Sequence, residues 1–432
     1  MKWNATLWKQ SQEQFKDFIG PLVAGLGRSE RRQAGVSYVE GLLLPGQRKS
    51  IVPMAERLGV DGQKLQQFVT DSPWEEQEIW RRIAQEVIPS LEPLEAWVVD
   101  ETGWLKQGEH SVGVSAQYCG AVGKKANCQV SVEVVVSDGW VAAPVAGRLY
   151  LPQSWAEDAP RRAQAGVPAT VVFQTKLEMA LDLIRQTLGH GVSRAPVLAD
   201  SHYGDSTDFR QSLRDLGLEF FLQVSGVGHK AWSEPVVTER KTKRYHVVAS
   251  TPPPRTLAEI AAGFKEQDWK ACRWKATDGR ARQTRLAWRR VYLQHSMRQA
   301  EGRPEEAWLV VDWPAGQAEP YHYYLAHFHQ EPAKARCLRL SRSRWHIEQY
   351  FQRVKDDLGL DHYEGRSWRG FHHHLVLSAL AYLFVLVVYL RAKKNFWCDV
   401  GTDAAGDPAV AAEIHRLLLL LSAEIRWYYI TK

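Results

Sequence analysis

Three charged residues in the last quarter of the sequence have the spacing of one helical stripe. Arg344, Glu348 and Lys355 fall within about 40° of one another at 100° per residue. The apolar residues at helical spacing beside them are Ile347, Phe351, Val354 and Leu358. The pattern predicts one helix over residues 342–360, with a carboxylate between two cations at the edge of a buried face. That carboxylate could bind a metal ion or form an ordinary surface ion pair with Arg344.

Two aspartates each end a short apolar run. Asp100 ends the run WVVD, and Asp200 ends the run VLAD. Ligands of open α/β sheets gather at the carboxyl ends of strands, so both side chains are candidates for one site. With Glu348 they would supply three hard oxygen ligands, which suit Mg²⁺ or Mn²⁺ and the cleavage of phosphodiesters by two ions. The alternative for each aspartate alone is a turn residue that follows a strand.

The composition permits a nucleic-acid partner without requiring one. The 432 residues include 55 Lys and Arg against 49 Asp and Glu, for a net charge of +6. The five cysteines are scattered without CxxC spacing, which favours neither a zinc site nor a disulfide framework and agrees with a reducing cytoplasm. The length predicts two or three domains. The polar N-terminus contains no secretory signal pattern.

The first part of the chain, residues 1–92, has helical periodicity. Within it, Ser50 and Asp61 can each cap a short helix, and Gly59 separates the two. Two short helices around a glycine turn are typical of a helix-turn-helix that contacts DNA, but any helical hairpin has the same pattern. Both interpretations remain open from the sequence.

Strands then alternate with helices. The predicted strands are 96–99, 113–119, 129–136, 196–199 and 219–224, and the predicted helices are 174–190 and 206–216. Asp205 is expected to cap the second of these helices. The alternation predicts a mixed α/β sheet covered by helices.

Residues 225–330 form a β-rich segment with a basic stretch. Between Lys270 and Arg298 there are nine Lys or Arg and one acid, with Trp274, Trp288 and Tyr292 among them. Cations can meet phosphates and rings can stack on exposed bases, which suits a nucleic-acid surface. A strand with one solvated basic face and aromatic side chains packed beneath it would give the same pattern.

The C-terminal part contains an apolar run at 375–390 and a further helical pattern. The run has 16 residues, which is short for a membrane span, so a buried helix and no membrane association are expected. A last helix is predicted over Pro408–Arg426, after the capping residue Asp407.

The motifs taken together resemble the DDE transposases of bacterial insertion sequences. VVDETG, VLADSHYGDS and R-x3-E-x6-K look like the three blocks of that family. The resemblance is strongest to the branch with a β-rich insertion before the glutamate, within it to the insertion-sequence family numbered seven-oh-one, and it covers about residues 42–390. The branch signature is Tyr-x2-Arg-x3-Glu-x6-Lys, and Ser341 stands at the tyrosine position.

This resemblance implies an α/β fold with a ribonuclease-H-like catalytic domain. That domain would comprise residues 93–224 and 331–395, interrupted by the β-rich insertion 225–330. It would follow an all-α N-terminal DNA-binding domain, 1–92, and precede a C-terminal helix, 396–432. Asp100, Asp200 and Glu348 would hold two divalent ions, Mg²⁺ or Mn²⁺, while Arg344 and Lys355 would grip phosphates near the cut end.

The implied function is a cut-and-paste DNA transposase. It would bind double-stranded DNA at the transposon ends and the target, act as a dimer on DNA, and work in the cytoplasm at the nucleoid. In the insertion, Arg289 and Arg290 are expected to contact phosphates. If the enzyme forms a DNA hairpin, Trp288 is the first choice for stacking on an extruded base, with Trp274 and Trp313 as alternatives.

Two rival functions remain open from the sequence. One is a DNA-binding protein that has lost catalysis. The other is a phosphatase with Asp100 as nucleophile, although Thr102 stands where such enzymes carry a second acid.

Overall fold

The computed structural model describes residues 5–235, 238–242, 245–248, 252–275, 281–294 and 304–399. The predicted helix Pro408–Arg426 and its cap lie outside these residues, as does most of the predicted 396–432 segment.

The described α-helices are numbered in chain order. They are α1 (Ala5–Val23), α2 (Ser29–Leu43), α3 (Ile51–Leu58), α4 (Gly62–Thr70), α5 (Glu76–Arg82), α6 (Gln153–Ala156), α7 (Ala159–Gln164), α8 (Lys176–Gly189), α9 (Ser201–Gly204), α10 (Thr207–Asp215), α11 (Leu257–Ala262), α12 (Lys334–Ser343), α13 (Trp345–Asp356) and α14 (Trp368–Asp399). Short 3₁₀ turns lie at Ala24–Leu26, Ile88–Leu91, Glu266–Asp268 and Leu360–His362, and a π-helical turn lies at Ile83–Val87.

The strands are numbered in the same way. They are β1 (Ala96–Leu105), β2 (Ser115–Cys119), β3 (Lys124–Ser137), β4 (Ala142–Leu149), β5 (Val197–Ala199), β6 (Phe220–Val224), β7 (Lys230–Trp232), β8 (Thr238–Thr242), β9 (Tyr245–Val248), β10 (Arg255–Thr256), β11 (Lys270–Lys275), β12 (Ala281–Leu293), β13 (Glu305–Pro314) and β14 (His322–His327). Between residues 5 and 91 the described chain contains helices and turns but no strand.

Contacts divide the described chain into two compact units. The first unit comprises described residues within 1–94, 99–193 and 345–420, and the second comprises those within 95–98 and 194–344. The boundary falls inside β1, so the first residues of that strand belong to the second unit and the rest to the first.

The first unit joins a small sheet to helices from both ends of the chain. Its strands are β1 from residue 99 onward, then β3, which pairs antiparallel with both β2 and β4. The long helix α14 packs against α1, α2, α4, α5 and β4. Its side chains from Leu375 to Phe384 are almost all fully buried, because helices and sheet surround it.

Helix α14 is also long and apolar enough to cross a membrane. Trp368–Ala392 meets that test by length and composition, and 67% of its most apolar window is buried inside the protein. The central helix of a globular protein meets the same test, so burial is the physically informative observation here.

The second unit is built around a mixed sheet. Its strand order is β10-β7-β12-β13-β14-β6-β5, followed by the first residues of β1, with β11 paired to β12. Strand β5 is parallel to both neighbours, with Val98 opposite Leu198 and Leu198 opposite Phe221. The remaining pairs are antiparallel. Helix α11 covers one face through a cluster that includes Leu257, Ile260 and Leu309.

The predicted α/β fold class is confirmed at the level of a mixed α/β protein with a large mixed sheet. The two predicted helices of 174–190 and 206–216 appear as α8 and α10. The predicted strands also appear, with bounds that differ from the expected ones by at most six residues. A turn at Ser137-Asp138-Gly139 joins β3 to β4. Oδ1 of Asp138 accepts hydrogen bonds from the backbone N–H of Trp140 at 2.8 Å and of Val141 at 3.0 Å.

The prediction of a single helix over residues 342–360 is wrong. Helix α12 ends at Ser343 and α13 begins at Trp345. At this break the Ser343 hydroxyl donates to the Arg339 carbonyl at 2.9 Å, a back-bonding contact that bends helices. The helix then ends at Asp356 rather than continuing to residue 360.

Strand β4 is absent from the sequence-based prediction. Pro144 and Gly147 within it weaken the strand pattern. The structure accommodates the proline at an irregularity: the register shifts between Val134 and Val135, and Pro144 lies opposite Val135.

Candidate active site

Asp100 lies within β1 in the first unit and is partly buried. Its Oδ1 accepts a hydrogen bond from the backbone N–H of Glu101 at 2.8 Å. The neighbouring carboxylate of Glu101 forms an ion pair with Lys176 of α8, and both side chains are largely buried. Glu101 is therefore engaged in a structural contact with α8.

Glu348 lies in the first turn of α13, also in the first unit, and is exposed. An adjacent face of the helix is buried through Ile347, Tyr350, Phe351 and Val354. As the sequence predicted, the carboxylate lies beside a buried stripe and faces solvent.

Lys355 connects α13 to the strand that carries Asp100. Its Nζ donates to the carbonyl oxygen of Gly103 at 2.8 Å, three residues beyond Asp100, and lies 6.0 Å from the ring centre of Trp104. Burial lowers the pKa of Lys355, against nearby carboxylates that raise it. An ammonium group has three donors, so this contact and a phosphate contact are compatible. The first unit thus brings together the elements that carry Asp100 and Glu348.

Asp200 lies in the second unit, directly after β5. It is the N-cap of the one-turn helix α9, and its Oδ1 accepts from the backbone N–H of His202 at 3.0 Å. At the other end of α9, a Cβ added to Gly204 would lie 1.9 Å from the carbonyl oxygen of Gln223 in β6. Only glycine permits this approach, which presses the turn after Asp200 against the sheet.

Asp205 does not cap α10, contrary to the sequence-based expectation. The cap is Ser206, whose Oγ accepts from the N–H of Phe209 at 3.2 Å. Asp205 Oδ1 instead accepts from the backbone N–H of Ser225 at 2.8 Å and hydrogen-bonds to Nε2 of His229 at 2.9 Å. Adjacent Asp and Ser are equally suitable caps, and a contact 20 residues away decided between them.

Arg344 lies between α12 and α13, in the second unit, and is partly buried. Two residues earlier, Nη2 of Arg342 donates to Oδ2 of Asp312 at 2.8 Å. Asp312 is fully buried and also accepts from the Thr284 hydroxyl. Sequence patterns did not predict this ion pair. The one sequence feature that pointed to it was an aspartate inside an otherwise apolar strand.

The candidate base-stacking tryptophans of the insertion have intramolecular neighbours. The guanidinium of Arg342 lies 4.4 Å from the ring centre of Trp274, and that of Arg285 lies 4.2 Å from that of Trp313. Trp288 is partly buried in β12, opposite Val310. Geometry gives none of the three a clear advantage.

Arg289 and Arg290 both form ion pairs within the second unit. Arg289 Nη2 lies 3.3 Å from Oδ2 of Asp268, and Arg290 pairs with Glu306. The two arginine side chains are 35% and 48% exposed respectively. To contact a phosphate, each guanidinium would have to exchange its carboxylate partner for the phosphate.

The three candidate carboxylates fit a hard divalent cation by their donor chemistry. Each is at least partly exposed and offers the oxygen ligands that Mg²⁺ and Mn²⁺ prefer. Among the described residues, no three His, Cys, Asp or Glu side chains are grouped closely enough to form a metal site.

The chain is similar to known proteins in two comparisons. The family model described as DDE superfamily endonuclease matches residues 21–282, more than half of the chain, and this region contains Asp100 and Asp200. The chain is also 32% identical over 183 residues to the "Probable transposase for insertion sequence element IS701" of Microchaete diplosiphon. That alignment covers 41% of this chain and 44% of the relative, so the chain matches less than half of the relative's length. The family match identifies the chain as a member of the DDE superfamily endonucleases.

Proposed function

We propose that this chain is a DNA transposase that cuts at the ends of an insertion sequence and joins them to target DNA. The endonuclease family supports phosphodiester chemistry, and the relative's name supports transposition. The observation that carries the proposal is the Lys355–Gly103 contact. It joins the helix that presents Glu348 to the strand that carries Asp100, so two candidate ligands share one supporting framework.

In this proposal Asp100, Asp200 and Glu348 hold two divalent ions, Mg²⁺ or Mn²⁺. When bound, such ions activate the attacking oxygen and stabilise the leaving oxygen of a phosphodiester. The chain's own part is to present the carboxylates and to place cations beside the DNA backbone. Arg344 and Lys355 carry out the second task at the cut end, because guanidinium and ammonium groups neutralise phosphate charge.

The proposal extends to the parts that position DNA. The catalytic domain is assigned a ribonuclease-H-like fold, and residues 1–92 are assigned as an all-α DNA-binding domain. Helices α3 and α4 support the second assignment: Gly59 between them is left-handed at φ 66°, and Asp61 caps α4. Trp288, Arg289 and Arg290 are assigned to the DNA-facing side of the insertion.

The remaining proposals concern assembly and location. Double-stranded DNA is the partner, and two copies act together because two transposon ends must be cut. The protein works in the cytoplasm at the nucleoid. The burial of α14 supports the proposal that it does not enter a membrane.

The proposal is tested by measuring cleavage of a labelled duplex that carries the element's own end, in the presence of Mg²⁺ or Mn²⁺. Wild type is compared with Glu348→Gln, which keeps the shape of the side chain and removes its charge. Asp356→Asn is the matched control, because it removes an exposed acid from the same helix. We expect wild type and Asp356→Asn to cut, and Glu348→Gln to bind the duplex without cutting.

The other outcomes select among the rival functions. Equal cutting by wild type and Glu348→Gln would remove Glu348 from the ligand set. Binding by all three proteins with no cutting would favour a DNA-binding protein without catalysis. Hydrolysis of a small phosphomonoester, blocked by Asp100→Asn and independent of a DNA end, would favour the phosphatase.

A further inference from the structure

A buried carboxylate lies in the middle of β3, where every neighbouring residue of the strand is also buried. Glu133 is 0% exposed. Its Oε1 accepts from the Ser131 hydroxyl at 2.8 Å, and its Oε2 accepts from the Tyr350 hydroxyl at 2.8 Å. Space for the side chain comes from the opposite strand, since Gly147 pairs with Glu133 and a Cβ there would lie 3.1 Å from its Cγ.

Tyr350 links this carboxylate to the helix that carries Glu348. The Tyr350 ring is fully buried and packs edge-on against Tyr382 of α14, with ring centres 4.8 Å apart. Residues 348 and 350 are about 200° apart around the helix, so Tyr350 faces the sheet while Glu348 faces solvent. A rotation that displaces one of these side chains therefore displaces the other.

Two further polar contacts hold the same helix. Nδ1 of His346 and Oγ of Ser137 hydrogen-bond at 2.9 Å, which adds a second attachment to β3. The Lys355 contact to Gly103 provides the attachment to β1 at the other end of the helix.

We propose that Glu133 is a positioning residue that fixes the rotation of α13 through Tyr350 and so sets the direction of the Glu348 carboxylate. This inference rests on the proposed function, in which Glu348 binds a metal ion. A helix with its side chains is about 10–12 Å across, so a 10° rotation moves a side-chain end by about 1 Å. Displacements of that size at reacting groups can cost about 100-fold in rate.

The chemistry of the pair explains why a carboxylate serves this purpose. A carboxylate has acceptors only, and it takes one hydroxyl donor on each oxygen. Both hydrogen bonds favour the ionised form and oppose the rise in the pKa of Glu133 that burial causes. Apolar packing alone leaves neighbouring rotations of a helix similar in energy, whereas this contact exists in one rotation only.

The test removes the single hydroxyl with Tyr350→Phe and measures metal binding directly. Mn²⁺ binding is followed by the electron paramagnetic resonance signal of free Mn²⁺, with the end duplex present. Removal of an outer partner of a metal ligand typically costs 10- to 100-fold in metal affinity, so we expect the Kd for Mn²⁺ to rise about 10-fold. Duplex binding should stay unchanged, and the Mn²⁺ concentration for half-maximal cleavage should rise in parallel.

Tyr38→Phe is the matched control. The Tyr38 hydroxyl bonds to Nδ1 of His374 at 2.9 Å and is equally buried, but it lies on α2, which carries none of the candidate ligands. We expect both phenylalanine variants to lower Tm by a similar amount, and only Tyr350→Phe to change Mn²⁺ affinity. A merely structural role for Tyr350 would leave the two variants alike.

Glu133→Gln provides an independent variant, because it keeps the shape and one acceptor oxygen. If Tyr350→Phe does not fold, Glu133→Gln carries the test with the same readouts. The inference would be overturned if Tyr350→Phe and Glu133→Gln had Mn²⁺ affinities within about threefold of the Tyr38→Phe value. Such a difference is well below the roughly 10-fold rise in Kd that is expected. If wild type binds Mn²⁺ and cuts the duplex, and the variants have the same Mn²⁺ affinity as wild type, the inference is overturned but the proposed function stands. Wild type that binds no Mn²⁺ would overturn the proposed function and the inference together.

Discussion

Glu305→Gln is predicted to destabilise the second unit strongly. Glu305 begins β13 with a side chain that is 7% exposed, and it pairs with Arg210 of α10, whose side chain is 0% exposed. Nε and Nη2 of Arg210 donate to Oε1 and Oε2 of Glu305, each at 3.0 Å. Nη2 of Arg214 also lies 3.3 Å from Oε1. The substitution removes the anion from this network and leaves the cations in place.

The expected cost follows from the burial of Arg210. Removing one partner of a buried ion pair typically costs 3–5 kcal/mol, because the other charge stays buried without compensation. Glutamine keeps one acceptor oxygen for the guanidinium, so we expect about 3 kcal/mol, at the lower end. For a unit of 150–250 residues this corresponds to a Tm lowered by about 6–12 °C.

The adjacent residue offers a matched control. Glu306 pairs with Arg290, and their side chains are 47% and 48% exposed. Exposed ion pairs contribute about 0–1 kcal/mol, so Glu306→Gln should shift Tm by no more than about 4 °C. Calorimetric unfolding of wild type and both variants at pH 7 measures the difference. Similar small shifts for Glu305→Gln and Glu306→Gln would refute the assignment of a buried, uncompensated charge.

Two further stability predictions follow from buried groups. Burial raises the pKa of Glu133 from 4.5 to about 7, against hydrogen bonds that lower it. Its contribution to stability is present below pH 4.5 and is lost as pH rises through 7. Between pH 5 and 7.5 wild type should therefore lose up to about 3 kcal/mol relative to Glu133→Gln in urea unfolding, at 1.36 kcal/mol per pH unit, and parallel profiles would contradict this. Gly204→Ala should destabilise the protein by more than about 3 kcal/mol because its Cβ would strike a backbone carbonyl, whereas Gly189→Ala, with nothing within 4 Å, should stay within about 1 kcal/mol of wild type.

Local signals in the sequence predicted the elements whose causes are local. Asp61 caps α4 as expected, with Oδ1 accepting from the N–H of Gln63 at 2.8 Å. Helix α8 has both the predicted periodicity and a capping box formed by Thr175 and Glu178. The short run VLA became a strand between two parallel neighbours, which buries both of its faces. The two caps depend on residues within a few positions, and the apolar run itself was the local signal for the strand.

The supports of the candidate site depend on contacts that local patterns do not encode. Glu133 and Tyr350 are 217 positions apart, and Arg210 and Glu305 are 95 apart. Sequence periodicity identifies each as an odd residue in an apolar setting but does not identify its partner. For the same reason, the basic stretch, which suited either a DNA surface or a solvated strand face, gave no indication that Arg290 would pair with Glu306.

Short elements that carry candidate ligands need polar contacts to fix their orientation. Helix α9, after Asp200, has four residues, and α13, with Glu348, has 12. Apolar contacts are non-directional and permit small rotations, whereas a buried hydrogen bond left unmade costs about 1–3 kcal/mol. Arg210 reaches the Gly204 carbonyl at the end of α9, and Tyr350 reaches Glu133 from α13. Buried polar groups thus lie where orientation matters, which gives a physical reason for their presence in cores that apolar residues could have filled with less desolvation.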